Sequence, residues 1–505
     1  MAKFNAAQEP SPGLCAQRKS RPFPDAAIGE GFPCSDPGQT RRVRMTPREF
    51  LSAYEFDRRM VTGGHFPSDP LAVDNGDTVG VVLLNLGGPE TQADVEPFLY
   101  NLFMDPAIID LPVGGVWRHW LAKLIAKTRS RSVREDYEAI GGGSPINRLT
   151  REQSADLESL LNERYGETTG AHFRTYIAMR YWHPFSEEAA RQMQEDGVDQ
   201  VVLLPLYPQY SKTTTGASLV YWKTLQEEGE IPTWPTTVVQ EYAANPKYIQ
   251  ALSERIDEGL QRFERDVRSD VQLVFSAHGT PLKEMKERRD PYCCLVHSTV
   301  DQVMKYRGHD RPYHVAFQSK VGPAEWLTPS TLDKLDDLAE QGRRALLVVP
   351  VAFVTDHIET SYELDIEARE EAEEAGVRHF EVTSGLNSHP LFIEALAEAT
   401  VAQIQPPQAP ARPLSVGDGA PGSAFAAQNG SAQNGSAENG REDGAYRLRP
   451  LDQMPRHNAD QRQARCHQCE CIAEARCWTT GPEPSSARND AAAPAQQGLS
   501  ETSAS

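Results

Sequence analysis

Two segments of this chain leave it little choice of architecture. The run Val271 to Phe275 is almost purely apolar and ends in Ser276-Ala277-His278-Gly279-Thr280-Pro281. The run Ala345 to Val354 is equally apolar and ends in Thr355-Asp356-His357-Ile358-Glu359-Thr360. Apolar runs of this length that do not alternate with polar residues are strands buried on both faces, which is the condition of parallel sheets covered by helices. Similar strands are predicted at Val79–Leu86, Ala171–Met179, Val201–Leu206 and His314–Phe317. Between them, helical periodicity marks Glu187–Gln194, Pro246–Phe263, Leu332–Gln341 and His357–Ala375. Strands alternating with helices imply an α/β fold with right-handed crossovers. In such sheets ligands bind beyond the carboxyl ends of the strands, which is where His278, Asp356, His357 and Glu359 are expected.

The plan repeats. "DQVVLLPLYPQY" from Asp199 and "RRALLVVPVAFV" from Arg343 are each an apolar run broken by proline, and Pro205 and Pro350 stand 145 residues apart. Leu86-Gly87-Gly88-Pro89 likewise answers Ala277-His278-Gly279-Thr280-Pro281. The expectation is two similar Rossmann-like domains whose parallel sheets face a cleft, over residues 78–235 and 236–404; a single larger sheet is the alternative. An irregular extension (1–77) precedes them. A low-complexity linker (405–460), with its "QNGSAQNGSAENG" repeat, and a cysteine-containing tail (461–505) follow. Such repeats bury too little apolar surface to fold.

Composition removes several functions. A net charge of −20 lacks the basic excess of a nucleic-acid footprint. No run of 18 apolar residues is present, so no membrane-spanning helix is expected. Eight cysteines in 505 residues do not make a disulfide scaffold, and the four near the C-terminus point to metal or redox chemistry. The N-terminus carries Lys3, Arg18, Lys19 and Arg21 interrupted by Glu9, Asp25, Glu30 and Asp36, a weak pattern for a transit peptide.

His278 suits reversible proton transfer because an imidazole titrates near neutrality, and Gly279 after it permits a sharp turn. A histidine that only caps the strand is the plainer reading. Asp356, Glu359, Glu363 and Glu367 are spaced by three, four and four residues, so they are expected on one helical face. Aligned carboxylates repel. Either a travelling divalent cation offsets that cost or the face is simply solvated. Oxygen ligands suit a cation that must bind and leave.

Three glycines in "AIGGGSPINRLT" from Ala139 are expected to let backbone approach a flat ligand and to offer N–H groups to its carboxylates. Between Pro112 and Tyr137, Trp117, Trp120, Leu121, Leu124 and Ile125 are expected on one helical face, with Arg118, Lys123 and Lys127 on the other. Such a helix either lies in a membrane interface or packs on the core. Trp326 either stacks on a planar ligand or belongs to the core.

Taken with "LLNLGGPET" at Leu83–Thr91, "AMRYWHP", "QYSKTTTGAS" and "QSKVGPAEWL", these motifs make the chain resemble the ferrochelatase family, which inserts Fe²⁺ into a porphyrin. The resemblance runs through all six strands. It implies His278 as essential base, Glu359 as its partner at the iron, and Asp356, His357 and Glu363 as supporting cleft residues. It implies Arg129, Tyr137 and Ser144 at the porphyrin, with Arg180 and Tyr181 in the cleft. The segment with Trp117 and Trp120 becomes a membrane-facing lip, whose apolar character goes with protoporphyrin IX as substrate and protohaem as product. Coproporphyrin, or a cobalt or nickel chelatase, are the enzymatic alternatives; a two-lobed haem or metal carrier is the non-enzymatic one. Fe²⁺ enters as substrate, and no nucleotide cofactor is implied. Some relatives carry Met where this chain has Leu86, which puts a thioether role there in doubt. Some bind a two-iron iron–sulfur cluster through three C-terminal cysteines and a fourth that here aligns with Lys212. Cys466, Cys469, Cys471 and Cys477 could hold such a cluster or zinc, alone or with Cys293 or Cys294, or remain free thiols. Partners implied are the porphyrin, iron and a membrane surface. A homodimer is open. A bacterial protein of this kind would sit at the cytoplasmic face of the inner membrane, and a eukaryotic one at the mitochondrial or plastid inner membrane.

Overall fold

The computed structural model describes Phe66 and residues 70–105, 107–108, 115–286, 290–319 and 324–405. The first half opens with β1 (Leu71–Ala72) and β2 (Thr78–Asn85), then helices α1 (Val95–Met104), α2 (Gly115–Ala139) and α3 (Ile146–Thr169). It continues through β3 (His172–Met179), α4 (Ser186–Glu195), β4 (Gln200–Pro205), α5 (Ala217–Glu227) and β5 (Thr236–Val238). The second half runs α6 (Pro246–Gln261), β6 (Gln272–His278), α7 (Leu282–Lys286), α8 (Tyr292–Tyr306), β7 (Tyr313–Gln318), α9 (Thr331–Glu340) and β8 (Ala345–Pro350). It closes with a π-helix (Glu359–Glu367), α10 (Ala368–Glu374), β9 (His379–Val382), α11 (Pro390–Val401) and β10 (Ile404–Gln405).

Each half holds a four-stranded, all-parallel sheet. The orders are β3-β2-β4-β5 and β7-β6-β8-β9, the same permutation twice. Two Rossmann-like sheets are therefore present. Their registers also agree: Leu84 pairs with Pro205 and Ser276 with Pro350. Two residues further on, Leu86-Gly87 occupies the place that His278-Gly279 holds in the other sheet. The catalytic-type histidine thus stands where its structural twin is a leucine.

The central strands are buried on both faces, as their unbroken apolar runs require. Val79, Val81, Val82, Leu83 and Leu84 of β2 are all inaccessible, as are Leu346, Leu347, Val348 and Val349 of β8. The strand expected to reach Val354 stops at Pro350, which lacks the N–H that a ladder needs. The segment after it turns across the sheet edge.

The halves share one apolar core that includes Leu83, Phe173, Tyr248, Leu273, Val349 and Phe392. Helix α11 lies against both α3 and α6, and Leu71 of β1 pairs with Ile404 of β10. Thr237 Oγ1 of β5 donates to Gln403 Oε1 at 2.8 Å. The end of the described chain thus returns to the first sheet. Phe392 packs on the edge-to-face pair of Tyr242 and Tyr248, with ring centroids at 6.3 and 6.5 Å.

Phe392→Ala should lower unfolding free energy by about 3–5 kcal/mol, through lost burial and the cavity left behind. Urea denaturation followed by fluorescence measures this, and a change below about 1 kcal/mol would mean that α11 does not anchor the core.

Candidate active site

The carboxyl edge of the second sheet gathers polar groups from three neighbouring strands. His278 ends β6, Gln318 ends β7, and the segment Val351–Ile358 follows β8. His278 Nδ1 lies 2.8 Å from Glu359 Oε2. Its side chain is 37% exposed, walled by protein yet open on one side. Burial pulls its pKa down, the Glu359 carboxylate and its hydrogen bond push it up by more, and the net lies above the ordinary histidine value. For Glu359, burial raises and His278 lowers, with the balance below the ordinary value. Each partner thus favours the charged form of the other. Tyr292 Oη donates to the His278 carbonyl at 3.0 Å and fixes the strand end.

His357 is buried, with Nδ1 3.1 Å from the Thr355 carbonyl. A carbonyl only accepts, so Nδ1 carries the proton and Nε2 keeps its lone pair. That Nε2 lies 4.0 Å from Glu359 Oε1 and has no hydrogen-bond partner. Burial holds the ring below the usual histidine range, hence neutral. Phe353 packs on both imidazoles, at 4.5 Å from His357 and 5.9 Å from His278.

The expected acidic α-helix is a π-helix from Glu359 to Glu367. Its wider turn brings residues four apart closer to a straight row than an α-helix does, so Glu359, Glu363 and Glu367 align. Single π turns recur at functional sites. Asp356 does not join the row. It precedes the helix, and its carboxylate accepts from Gly385 N (2.9 Å), Asn387 Nδ2 (2.7 Å) and Thr360 Oγ1 (3.1 Å). Its place is in the loop scaffold. Glu363 receives Ser319 Oγ at 2.5 Å and Gln318 Nε2 at 3.3 Å. Burial, then the Glu359 charge, lift its pKa from 4.5 to about 7. Ser319 adopts φ +63°, a left-handed backbone uncommon outside glycine, and this aims its hydroxyl at both carboxylates. Gln318 also accepts from Ser276 Oγ at 2.9 Å. Gln318 and Ser319 lie within "QSKVGPAEWL", a motif that by itself assigns them no role. The available signal was a third apolar strand ending in polar residues at the same sheet edge.

The first half contributes Tyr137, buried near the end of α2, whose phenol is raised by burial and then by the Glu359 charge. Ile358 packs into the apolar cluster that holds Tyr137, Tyr181, Trp182 and Leu86, which brings the two halves together beside Glu359. Ser144 is nearly buried, and Arg129 is exposed on α2.

Several expectations change. The amides of Gly141, Gly142 and Ser144 donate to the carbonyls of Glu138, Tyr137 and Pro89, so they are not on offer to a ligand. A Cβ on Gly143 would stand 2.3 Å from the Glu90 carbonyl, and one on Gly88 2.6 Å from Ser144 Cβ. These glycines let two protein loops stack on each other. Arg180 and Tyr181 are buried, both bonded to Asp105 Oδ2, at 2.7 and 2.8 Å. These bonds tie the end of β3 to the end of α1, while Arg180 Nε and Nη1 are buried without a hydrogen-bond partner. Arg118 does not lie on the solvent face of α2. It is buried and donates to the carbonyls of Met104 and Phe103, on the inward face with Ala122, Ala126 and Ser130. Those small residues let α2 approach α1, and Trp117, Trp120 and Leu124 remain 75%, 62% and 60% exposed, with Leu121 partly buried. Trp326 is partly buried, its ring edge 3.3 Å from where a Gly279 Cβ would be.

The Ferrochelatase family model matches residues 78–404, the whole of both sheets. The chain belongs to the ferrochelatase family. It is 45% identical to the ferrochelatase of Synechococcus elongatus over 331 residues, 65% of this chain and 84% of that protein. It is 44% identical to that of Gloeobacter violaceus over 327 residues, 64% of this chain and 97% of the other. Among solved structures, SirB from Bacillus subtilis with Fe³⁺ aligns at TM-score 0.38 and 9% identity over 65% of this chain and 95% of its own, a level that adds nothing to the assignment. The protein is an enzyme that inserts iron into a porphyrin.

Within this ferrochelatase the position aligned with a cluster cysteine is unsuited to one. Lys212 is fully buried, with Nζ 3.0 Å from Glu284 Oε2. An ammonium cannot ligate iron. Cys293 is buried in α8 and Cys294 is partly buried beside it. Cys466, Cys469, Cys471 and Cys477 lie outside the described residues. No helix among the described residues is long and apolar enough to cross a membrane.

A carboxyl with a raised pKa holds its proton in the folded state between pH 4.5 and about 7, where the unfolded chain has lost it. Stability from this group therefore falls as pH rises through that window. Glu363→Gln cannot ionise, so relative to the unsubstituted protein it should gain on the order of 1–3 kcal/mol at pH 8 and little at pH 4.5. Urea titrations at the two pH values measure the difference. An equal effect at both would mean that Glu363 ionises as an ordinary carboxylate.

Proposed function

We propose that this ferrochelatase inserts Fe²⁺ into protoporphyrin IX, releasing two protons and giving protohaem, the last step of haem formation. The observation that carries the chemistry is the His278–Glu359 pair at the open carboxyl edge of the second sheet. Insertion forms four Fe–N bonds and removes a proton from each of two pyrrole nitrogens, so the site needs a base beside a cation ligand. His278 is the base and Glu359 the carboxylate that meets iron. As Fe²⁺ engages Glu359, the charge that keeps His278 protonated is neutralised and a cation stands nearby. Both effects lower the imidazole pKa, so that His278 gives its proton to solvent on its open side and can then accept the pyrrole protons one after the other, passing each to solvent in turn. The bare Nε2 of neutral His357 and the row of Glu363 and Glu367 supply further donors along the approach. Asp356 acts through the loop that it holds. Tyr137, Ser144 and the exposed Arg129 border the porphyrin side, where a guanidinium suits a propionate. Trp326 supports the Gly279 turn.

The exposed Trp117, Trp120 and Leu124 favour protoporphyrin over a more carboxylated ring. They also favour peripheral attachment to a membrane surface, the inner membrane in a bacterium or in a mitochondrion or plastid. Tryptophans this exposed on a helix with Lys123 and Lys127 provide both an apolar and a basic signal.

Anaerobic incubation with Fe²⁺ and protoporphyrin IX should extinguish porphyrin fluorescence. His278→Ala should slow that loss at least about 100-fold, the usual worth of a general base, while porphyrin still binds. Near-normal turnover would remove His278 from the mechanism. Changing both Trp117 and Trp120 to Ser should weaken sedimentation with anionic liposomes and impair use of protoporphyrin more than of a water-soluble analogue. Unchanged liposome binding with a loss of dimer would assign the face to a second copy of the chain.

A further inference from the structure

The loop that carries His357 and Glu359 belongs to the second half, but a buried side chain of the first half holds it. Gln153 on α3 is inaccessible to solvent. Its Oε1 accepts from Thr355 Oγ1 at 3.1 Å, and its Nε2 donates to the Asn387 carbonyl at 3.0 Å. Asn387, at φ +46°, in turn clamps Asp356: Oδ1 accepts from Asp356 N at 3.0 Å and Nδ2 donates to Asp356 Oδ2 at 2.7 Å. The Thr355 carbonyl fixes His357 Nδ1, and Asp356 Oδ1 takes the Thr360 hydroxyl at the start of the π-helix. One amide therefore grips both sides of the scaffold beneath His357 and Glu359.

The same helix reaches the other side of the site. Asn147 accepts from Gly88 N at 3.2 Å and donates to the Gly88 carbonyl at 2.9 Å, and Thr150 Oγ1 accepts from Asn85 Nδ2 at 3.0 Å. Asn147, Thr150 and Gln153 are three apart, so they form one ridge along α3. The ridge runs from the Leu86–Pro89 loop, on which Ser144 stacks, to the Thr355–Thr360 loop. Buried polar networks with every partner satisfied are rigid, and a small misplacement of reacting groups costs large factors in rate.

We propose that Gln153 is a positioning residue for chelation: it sets the loop bearing His357 and Glu359 against the helix that carries the porphyrin-side loop. This rests on the reading that Glu359 meets iron. Gln153→Met keeps length and removes both hydrogen bonds; Thr355→Val removes one and keeps shape. In Gln153→Met, kcat/KM for Fe²⁺ should fall roughly ten-fold or more, while porphyrin affinity from fluorescence quenching changes less than about two-fold. Thr355→Val should show the same selectivity at smaller size, and the double variant should be no worse than Gln153→Met alone. A lowered melting temperature with unchanged kcat/KM would leave Gln153 a structural residue and overturn the proposal. So would a loss of porphyrin affinity as large as the loss in kcat/KM for Fe²⁺, or losses that multiply in the double variant. If Gln153→Met does not fold, Thr355→Val decides alone by the same selectivity. Failure of the unsubstituted protein to insert Fe²⁺ would sink the functional reading and this inference together, whereas insertion by it beside an unselective variant sinks this inference only.

Discussion

A cleft that handles a cation and sheds protons must keep ionisable groups away from bulk water, and an unpaired charge there is expensive. The hydrogen-bonded His278–Glu359 pair, in which each partner favours the other's charged form, meets that constraint, and its neighbours are arranged around it. With Glu359 ionised, a second full charge at Glu363 would be costly, and the carboxyl's pKa rises to about 7. At His357 burial, with a smaller push from His278, keeps the ring neutral against the pull of Glu359 and the Thr355 carbonyl, and that carbonyl fixes which nitrogen carries the proton. Neighbouring titratable groups are thereby driven to different protonation states, the usual arrangement of sites that do acid–base work.

Packing decides what faces that pair. The short side chains Ala122, Ala126 and Ser130 let α2 sit closely on the first half, which turns its tryptophans outward instead of into the core. Gly88 and Gly143 let the Leu86–Pro89 and Gly141–Ser144 loops touch. The same duplication that gave both sheets one strand order put chemistry in only one of them: at the position that His278 holds at the end of β6, the first half has Leu86, just past the end of β2, which packs into the lip cluster. One half holds the reactive groups and the other shapes and covers the cleft.

Much of this was legible before any coordinate. Unalternating apolar runs specify strands buried on both faces, and their alternation with helical periods specifies parallel sheets. The polar residues immediately after such runs must fall at a carboxyl edge, so His278 and His357–Glu359 could be brought to one side of one sheet by counting alone. Short strands escaped: β1, β5, β9 and β10 have two to four residues, too few to show a period.

The side chains' directions were not legible. Arg118 reads as a solvent-facing cation until the carbonyls of Phe103 and Met104 are seen beneath it, and nothing in the sequence around Arg180 announces its pairing with Asp105. A residue's period tells which face it shares, whereas the partner that satisfies a buried charge comes from distant sequence. The π-helix, the left-handed Ser319 and the reach of Gln153 across 202 residues to Thr355 are of the same kind. By itself the sequence determined the sheets, their edges and the chemistry available there, because those follow from local burial patterns. Only the tertiary structure decided which groups are charged, which are walled in and which half positions the other, because those depend on desolvation and on partners that the chain brings together only when folded.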